Sequence, residues 1–306
     1  MNEPGIAARS RGEEHWTEIS GHKLFLWRKP RTDGPDRGTL LFVHGSSMAA
    51  TPGFDLQAPG TSYVSAMDWF AARGFDCWTS DHRGYGRSYK GPEILATVSD
   101  GADDLDAVSR YIMAKTGAAR LFLHGTSSGG LRAALFAERH PERVARLSLD
   151  AYVWTGKGSP TLAERKKKLD QWRASTRRPI RRDFLNSIHT RDGVYAVDPK
   201  IVPFYMDAVL ALDDSVPNGT YIDMCANLPV NDPKRLVMPV VIMRGEFDGI
   251  AATDDLLDFF RLLPNADKEF AIMPGIAHGS FIQANHQRAF AILYSFLTRS
   301  EPVYKG

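Results

Sequence analysis

Three polar residues, Ser127, Asp248 and His278, have the types and the order along the chain that nucleophilic catalysis requires. A serine hydroxyl by itself is a poor nucleophile, because it needs a base within hydrogen-bond distance and that base needs an acid to orient it. Histidine and aspartate can fill these two roles. The chemistry of such a set is the attack of an activated serine on an acyl carbon, provided that the fold brings the three residues together.

Ser127 is the central residue of GTSSG, residues 125–129, which has the form G-x-S-x-G. An apolar strand pattern, RLFLHG, precedes it, and a helical pattern, SGGLRAALFAERH, follows it. A sharp turn between a strand and a helix holds the central serine above the sheet. Ser128 would begin the helix, where a backbone N–H group stabilises developing negative charge. For the pentapeptide alone, a glycine-rich turn of a parallel sheet without catalysis is the alternative.

Asp248 and His278 each follow a predicted strand. Asp248 lies in GEFDGI, after the strand VVIMR, and His278 lies in PGIAHGSF, after the strand EFAIM. The carboxyl ends of parallel strands meet at one edge of a sheet, where such folds bind their ligands. We therefore expect both residues to lie beside Ser127. Glu246 and Asp150 also follow strands, and either is an alternative acid.

The rest of the chain alternates between strand and helix patterns, except in one long segment. A hairpin turning at Ser20-Gly21 is followed by six apolar strand patterns with helical patterns between them. This alternation predicts an α/β fold with a mostly parallel eight-stranded sheet and helices on both faces. A segment of polar and basic helical sequence then predicts a helical cap inserted after the sixth strand. The predicted domains are an α/β core of residues 15–152 and 237–300, the cap insertion 153–236, and a disordered N-terminal tail, residues 1–14.

Composition and charge exclude several classes of protein. The formal net charge is +2 over 306 residues, so no field that would attract nucleic acid or an anionic membrane is predicted. No apolar run approaches the roughly 18 residues that span a bilayer, and the N-terminus lacks the apolar core of a secretory signal. With only two cysteines, Cys77 and Cys225, we expect no structural disulfide and a cytoplasmic location.

No cofactor is predicted. The sequence has no cluster of histidine, cysteine and carboxylate residues at the spacing of a metal site, and no glycine-rich loop of the kind that holds a phosphate. The expected partner is therefore a small-molecule substrate, with no nucleic acid and no membrane. No pattern in the chain determines the oligomeric state.

Three motifs together resemble the α/β-hydrolase fold superfamily, specifically a serine esterase-like member with an inserted cap. The first is GTSSG. The second, FVHGSS, resembles the His-Gly stretch that follows the third strand of the family. The third, DHRGYGRS at residues 81–88, resembles the family's D-x-R-G-x-G-x-S loop, whose role is mainly architectural. The resemblance covers about residues 15–300, and residues 153–236 fall where many members carry a cap.

The resemblance implies a role for five residues of this chain. Ser127 would be the nucleophile, His278 its base and Asp248 the acid that orients the histidine. The backbone N–H groups of Ser46 and Ser128 would form the oxyanion hole.

Residues around FVHGSS, residues 42–47, are candidates for the substrate pocket. We call this stretch the oxyanion loop, because it contains Ser46. The loop at residues 46–63 is longer than the usual connection between a strand and a helix, and it lies beside the oxyanion loop. A disordered surface loop is the alternative. His44 is expected to orient the oxyanion loop through hydrogen bonds, and His124 is expected to be a packed residue at a strand end. The predicted pocket residues are His44, Ser47, Met48, Phe54 and Leu56.

The predicted cap contains a basic cluster, which we define as the ten lysine and arginine residues between Lys157 and Arg182. Only two acidic residues, Glu164 and Asp170, lie in the same stretch. A solvated helix face is one interpretation. The other is electrostatic attraction of an anionic substrate.

These observations favour a serine hydrolase that cleaves a small or medium carboxylic ester, which includes an anionic monoester, through an acyl-enzyme on Ser127. Amide hydrolysis, carbon–carbon bond hydrolysis and acyl transfer use the same three residues, and the motifs do not separate them. A non-catalytic ligand-binding protein on the same fold is the alternative from a different class.

Overall fold

The computed structural model of the chain describes residues 11–192 and 197–302. Its centre is a sheet of eight strands in the order β1-β2-β4-β3-β5-β6-β9-β10, while β7 and β8 form a separate pair. The strands are β1 (Glu13–Ile19), β2 (His22–Lys29), β3 (Thr39–Val43), β4 (Asp76–Ser80), β5 (Leu121–Thr126), β6 (Val144–Asp150), β7 (Arg177–Pro179), β8 (Ser215–Pro217), β9 (Val240–Gly245) and β10 (Lys268–Met273).

The sheet is parallel from β4 to β10, and β1 and β2 are antiparallel to their neighbours. The predicted mostly parallel, eight-stranded α/β fold is confirmed. The hairpin of β1 and β2 turns at Ser20 and Gly21, whose φ angles of 51° and 78° lie in the left-handed region that such tight turns require. Of the predicted N-terminal tail, residues 1–10 lie outside the described residues, whereas Glu13 and Glu14 already belong to β1.

Helices cover both faces of the sheet, as predicted. They are α1 (Ala50–Phe54), α2 (Ala66–Ala71), α3 (Val98–Thr116), α4 (Ser128–Arg139), α5 (Pro160–Lys166), α6 (Leu169–Arg173), α7 (Arg182–Thr190), α8 (Val202–Leu210), α9 (Gly219–Ala226), α10 (Thr253–Leu262) and α11 (His286–Thr298). No helix within the described ranges has both the length and the apolar composition needed to cross a membrane.

Strand β3 shows how one short apolar run supplies both halves of the core. Successive side chains of a strand point to opposite faces, so Leu41 and Val43 pack with α3 and α4 while Leu40 and Phe42 pack with α2 and α11. All four side chains are buried. This double burial explains why the strand reads as a continuous apolar run rather than as an alternating one.

The segment between β6 and β9 contains five of the helices, α5 to α9, and the short pair β7 and β8. We call residues 153–236 the insertion; its boundaries remain a prediction. The sequence pattern indicated no strand here, whereas β7 and β8 pair in antiparallel fashion. Each has only three residues and contains a proline, which is too short for a period of two to be read from the sequence.

The loop at residues 46–63 is ordered by buried contacts rather than lying free on the surface. Leu56 and Tyr63 pack in a cluster with Leu185 and Tyr205 of the insertion. The Asp81 carboxylate, at the carboxyl end of β4, accepts hydrogen bonds from the N–H groups of Ala50 (2.8 Å) and Arg87 (2.9 Å). Asp81 therefore ties the two loops together, which agrees with the architectural role expected for DHRGYGRS.

Helix α4 begins in direct contact with the end of β3. A Cβ atom on Gly129 would lie 2.2 Å from the carbonyl oxygen of Val43 and 2.6 Å from that of His44. Both obstacles are backbone atoms, so a side chain at this position would force α4 and β3 apart.

We expect Gly129→Ala to destabilise the protein by about 3 kcal/mol, because overpacking against backbone cannot be relieved by a side-chain rotation. Gly53→Ala is the matched control, since a Cβ atom there meets no heavy atom within 4 Å and alanine favours the helix by about 1 kcal/mol. Urea unfolding followed by circular dichroism measures both. Equal midpoints for the two variants would show that the contact between α4 and β3 is not tight.

Candidate active site

Ser127 occupies the turn between β5 and α4 in a strained backbone conformation. Its φ and ψ angles are 57° and −126°, a region that residues other than glycine rarely adopt. The N–H group of Ser127 donates to the carbonyl oxygen of Asp150 (2.8 Å), and its own carbonyl oxygen accepts from Gly130 (2.9 Å). A Cβ atom on Gly125 would lie 2.6 Å from the carbonyl oxygen of Gly129. The two glycines of G-x-S-x-G therefore let the turn close tightly enough to raise the serine above the sheet.

The structure brings the three predicted residues together in one hydrogen-bonded chain. His278 Nε2 lies 2.9 Å from Ser127 Oγ, and His278 Nδ1 lies 2.9 and 3.0 Å from the two carboxylate oxygens of Asp248. Since a carboxylate only accepts, the proton on the ring belongs on Nδ1, and Nε2 is left to accept from the serine hydroxyl. The three residues come from loops at the carboxyl ends of β5, β9 and β10, the edge at which they were expected.

Asp248 is buried and ionised. Burial alone would raise the pKa of its carboxyl group, but the charge and hydrogen bond of His278 and the N–H groups of Ile250 (2.8 Å) and Ala251 (3.0 Å) lower the pKa below its ordinary value. An ionised acceptor fixes the histidine ring and favours a positive charge on it.

The two alternative acids lie elsewhere. Glu246 is exposed, and its carboxylate accepts from the N–H of Gly275 (2.9 Å). Asp150 is buried behind the loop of His278, where its carboxylate accepts from the N–H of Ser280 (3.3 Å). Burial raises the pKa of Asp150 to about 6, since one backbone donor does not offset the loss of water. Of the three carboxylates, Asp248 alone is hydrogen-bonded to the His278 ring in the described part of the chain.

A side chain that the sequence did not single out holds the His278 loop. Gln283 accepts from the N–H of Ala277 (2.7 Å) and donates to the carbonyl oxygens of His278 (3.1 Å) and Gly279 (3.0 Å). A buried amide can satisfy donors and acceptors of a loop at the same time. No short motif signals such a residue, because its partners are backbone groups.

The predicted oxyanion residues lie on either side of Ser127. Ser128 is the first residue of α4, so its N–H group has no acceptor within the helix. Ser46 lines the pocket that contains Ser127. A Cβ atom on Gly45, one residue earlier, would lie 3.5 Å from Ser127 Cβ, which shows how closely this loop approaches the serine.

His44 is held by hydrogen bonds in the loop that contains Ser46. Its Nδ1 donates to the carbonyl oxygen of Gly45 (2.7 Å), and its Nε2 accepts from the N–H of His82 (3.1 Å). Burial, together with the nearby His82 and Arg132, holds the pKa of His44 well below its ordinary value. The ring is neutral, as this hydrogen-bond pattern requires.

His124 is packed inside the sheet, as expected. Its ring stacks on Phe281 at 4.4 Å between centroids, and its nitrogens lie 3.0 Å from Ser148 Oγ and 3.2 Å from Thr126 Oγ1. Burial lowers its pKa to about 3, so it carries no charge at neutral pH.

One pocket opens beside Ser127 and His278. Four of the predicted pocket residues line it, namely His44, Ser47, Met48 and Phe54, whereas Leu56 packs in a buried cluster with residues of the insertion. Seven further lining residues were not predicted, and these seven come from the insertion and from the loop after β10. They are Arg165, Ile188, Arg191, Tyr205, Gly279, Phe281 and Ile282.

The basic cluster is divided between the surface and the pocket. Lys157, Lys166, Lys167, Lys168, Arg173, Arg181 and Arg182 are exposed, Arg165 and Arg177 are partly buried and Arg178 is buried. The Arg178 guanidinium donates to the carbonyl oxygens of Ser46 (2.7 Å) and Pro217 (2.5 Å). Most of the cluster is a solvated face, but Arg165 and Arg178 reach the candidate site.

Cys77 and Cys225 are free and buried. Among the described residues, no group of three or more histidine, cysteine or carboxylate side chains is placed to hold a metal ion.

The chain is similar in structure to solved hydrolases. A soluble variant of monoglyceride lipase from Saccharomyces cerevisiae, in complex with a substrate analogue, is 21% identical with a TM-score of 0.66, over 97% of this chain and 98% of that chain. E-2-(acetamidomethylene)succinate hydrolase is 17% identical with a TM-score of 0.69, over 94% and 100%. A malate-bound thermophilic esterase from Thermogutta terrifontis is 18% identical with a TM-score of 0.64, over 94% and 98%. At these identities the likeness shows a shared fold.

No curated protein matches the sequence. One family model, Hydrolase_4, described as serine aminopeptidase S33, matches residues 36–284. The match includes Ser127, Asp248 and His278 and most of the sheet. Since it spans most of the chain, the protein is a hydrolase of the α/β-hydrolase superfamily and belongs to the Hydrolase_4, S33 family.

Proposed function

We propose that the protein hydrolyses a small or medium carboxylic ester through an acyl-enzyme on Ser127. The observation that carries this proposal is the unbroken hydrogen-bonded chain from Ser127 Oγ through His278 to the buried carboxylate of Asp248. An arrangement of this kind removes the serine proton as the hydroxyl attacks, which an isolated serine cannot achieve.

In the first half of the reaction, Ser127 Oγ attacks the ester carbonyl carbon and His278 Nε2 takes the hydroxyl proton. Asp248 stabilises the imidazolium that forms. His278 then gives this proton to the leaving oxygen, so that the alcohol departs and the acyl group remains on Ser127. In the second half, water attacks the acyl-enzyme, His278 takes a proton from it, and the carboxylic acid is released as the proton returns to Ser127.

The negative charge that develops on the carbonyl oxygen needs donors fixed in advance. We assign this role to the backbone N–H groups of Ser46 and Ser128. Support comes from the position of Ser128 at the start of α4 and from His44, which holds the neighbouring carbonyl oxygen of Gly45. Backbone donors at fixed positions require no reorganisation when the charge appears.

The insertion is proposed to act as a lid that limits the size of the substrate. Its residues Arg165, Ile188, Arg191 and Tyr205 line the same pocket as Ser127. A site covered in this way excludes bulk water from the acyl-enzyme, and it favours short or medium esters over long chains.

The description of the family raises peptide hydrolysis as a second candidate, and the pocket argues against the aminopeptidase form. An aminopeptidase must bind the free ammonium group of its substrate, which requires a carboxylate or a similar acceptor. Among the described residues that line the pocket there is no aspartate or glutamate, and there are two arginines. The two arginines of this pocket suit a neutral or anionic substrate. Within the proposed class of esters, an anionic monoester is the more specific candidate.

We expect Ser127→Ala to lower kcat on p-nitrophenyl esters by about 10⁶-fold, because the variant has no nucleophile. Ser128→Ala is the matched control and should keep most of the activity, since its buried hydroxyl has no hydrogen-bond partner among the described residues and its proposed role uses only the backbone. Stoichiometric labelling by an organophosphonate should follow the same order. A wild-type protein that neither turns over esters nor reacts with the phosphonate would be a ligand-binding protein rather than an enzyme.

We expect Asp248→Asn to lower kcat by about 10⁴-fold, because a neutral amide no longer fixes the ring proton on Nδ1 or stabilises the imidazolium. Glu246→Gln should remain within about twofold of wild type, since Glu246 only holds the Gly275 N–H. Steady-state kinetics on one p-nitrophenyl ester measure both variants. A larger loss of kcat in Glu246→Gln than in Asp248→Asn would show that Glu246, not Asp248, is the acid that orients His278.

We expect Asp150→Asn to stabilise the protein at pH 8 and to keep ester hydrolysis. Burial raises the pKa of Asp150 to about 6, so the folded state prefers the protonated form and the stabilisation from this group is lost as the pH rises through 6. A neutral amide avoids that loss, which is about 3 kcal/mol for a shift of about two pKa units. Urea unfolding at pH 4 and pH 8 tests the sign. The gain should be present at pH 8 and absent at pH 4, and a variant less stable at pH 8 contradicts the argument.

A further inference from the structure

Two arginines of the insertion line the pocket that contains the proposed catalytic residues. Arg165 in α5 and Arg191 after α7 line the cavity together with Ser127 and His278. An arginine beside a reacting group is costly to bury without an anion, because its charge cannot be removed at physiological pH. Arg165 is partly buried, so its guanidinium needs an explanation that ester hydrolysis by Ser127 does not provide; Arg191 is exposed and brings a second guanidinium to the same pocket.

An aromatic ring, that of Tyr221, stacks against the Arg165 guanidinium. The Tyr221 ring lies between two guanidinium groups, with that of Arg165 at 4.3 Å and that of Arg178 at 3.6 Å from the ring centroid. The two terminal nitrogens of Arg178 donate to the carbonyl oxygens of Pro217 and Ser46. Arg178 is thus a support for the site, whereas Arg165 is held by a stacking contact, and none of its side-chain N–H groups donates to another of the described residues.

The local charge is not balanced by protein carboxylates. Arg191 Nε lies 3.3 Å from Asp192, which neutralises one of the three arginines. No carboxylate of the described residues lies within ion-pair distance of the Arg165 guanidinium, and the hydrogen-bond partners of Arg178 are uncharged carbonyl and hydroxyl oxygens. Among the described residues, these three arginines therefore have one carboxylate, Asp192, as an ion-pair partner.

Tyr221 lies in the field of the same arginines. Burial opposes ionisation of its hydroxyl, but the charges of Arg165 and Arg178, the hydrogen bond with Ser47 and the charge of Arg191 outweigh it and lower the pKa of Tyr221 to about 8. A buried phenol whose pKa falls despite desolvation lies where an anion is stabilised.

We infer that Arg165 and Arg191 bind a carboxylate of the substrate, so that the preferred substrates are esters that carry a second, free carboxylate, such as monoesters of short dicarboxylic acids. This inference rests on the proposed ester hydrolysis at Ser127. A carboxylate fits the planar fork of a guanidinium and brings one negative charge.

Direct binding of a carboxylate by Arg165 and Arg191 differs from long-range attraction of the substrate by the basic cluster as a whole. The exposed lysines of the cluster act through solvent, where salt screens charges over about 8 Å at physiological ionic strength. Arg165 and Arg191 would contact the bound substrate. A change at Lys166, the exposed neighbour of Arg165 in α5, removes the same charge from the surface without touching the pocket.

The test compares two esters that differ only at the far end of the acyl chain. In p-nitrophenyl pentanoate this end is a methyl group, and in mono-p-nitrophenyl glutarate it is a carboxylate. We expect the wild type to prefer the glutarate ester in kcat/KM. Arg165→Gln and Arg191→Gln should each lower kcat/KM for the glutarate ester by about 10- to 100-fold, in the range of one charged hydrogen-bonded contact. Both should lower kcat/KM for the pentanoate ester by a much smaller factor than for the glutarate ester. Lys166→Gln, at a residue that does not line the pocket, should leave kcat/KM for both esters within about twofold.

Three kinetic results would overturn the inference. The first is a wild type that prefers the pentanoate ester, which leaves the proposed function intact. The second is an Arg165→Gln variant that hydrolyses the glutarate ester as well as wild type does. The third is an equal loss of both esters, because Arg165 would then support the shape of the pocket rather than bind the carboxylate.

A binding experiment gives an answer that does not depend on turnover. Monomethyl glutarate is titrated by calorimetry into the Ser127→Ala protein, with and without Arg165→Gln. We expect at least tenfold weaker binding when Arg165 is replaced. Equal binding by the two proteins overturns the inference, and so does inorganic phosphate that displaces monomethyl glutarate at lower concentration than free glutarate does.

Discussion

The tight packing of backbone around Ser127 is the constraint on which the candidate site depends. Ser127 has a conformation that costs roughly 1–3 kcal/mol, and it persists because its neighbours leave the chain no relaxed alternative. Gly129 lies against the carbonyl oxygens of Val43 and His44, Gly125 lies against Gly129, and the Asp150 carbonyl accepts the Ser127 N–H. The same contacts place the end of β3 beside the serine, so one packing arrangement positions both the nucleophile and the oxyanion loop.

Two buried carboxylates at one edge of the sheet have opposite properties because their surroundings differ. Asp248 has two backbone donors and the His278 ring, which lower its pKa despite burial. Asp150 has one backbone donor, and burial raises its pKa to about 6. Each environment therefore decides whether a carboxylate can act as a permanent charge beside the histidine. Burial by itself would have made both of them poor partners for an imidazolium.

The insertion contributes to the candidate site in two distinct ways. Arg178 joins the insertion to the oxyanion loop. Its guanidinium donates to the carbonyl oxygen of Pro217 in the insertion and to that of Ser46 in the oxyanion loop. Arg165 and Arg191 supply charge to a pocket whose remaining walls are mostly apolar. The core therefore carries the groups proposed for bond cleavage, and the insertion carries the groups proposed to choose the substrate. This division allows specificity to change without disturbing the chemistry.

The sequence by itself determined the sheet, its covering helices and the order of Ser127, Asp248 and His278, because period-two apolar runs and strand-to-helix turns are local patterns. It also indicated His44 and the loop of Met48 and Phe54 as neighbours of the serine. Several decisions needed the tertiary structure. The choice of Asp248 over Glu246 and Asp150 depends on which carboxylate faces the imidazole across three different loops. The roles of Arg165, Arg191 and Gln283 depend on where an irregular insertion and a short loop fold back. Such contacts join residues far apart in the chain, and no periodicity encodes them, since they are set by packing and by the hydrogen-bond needs of buried groups.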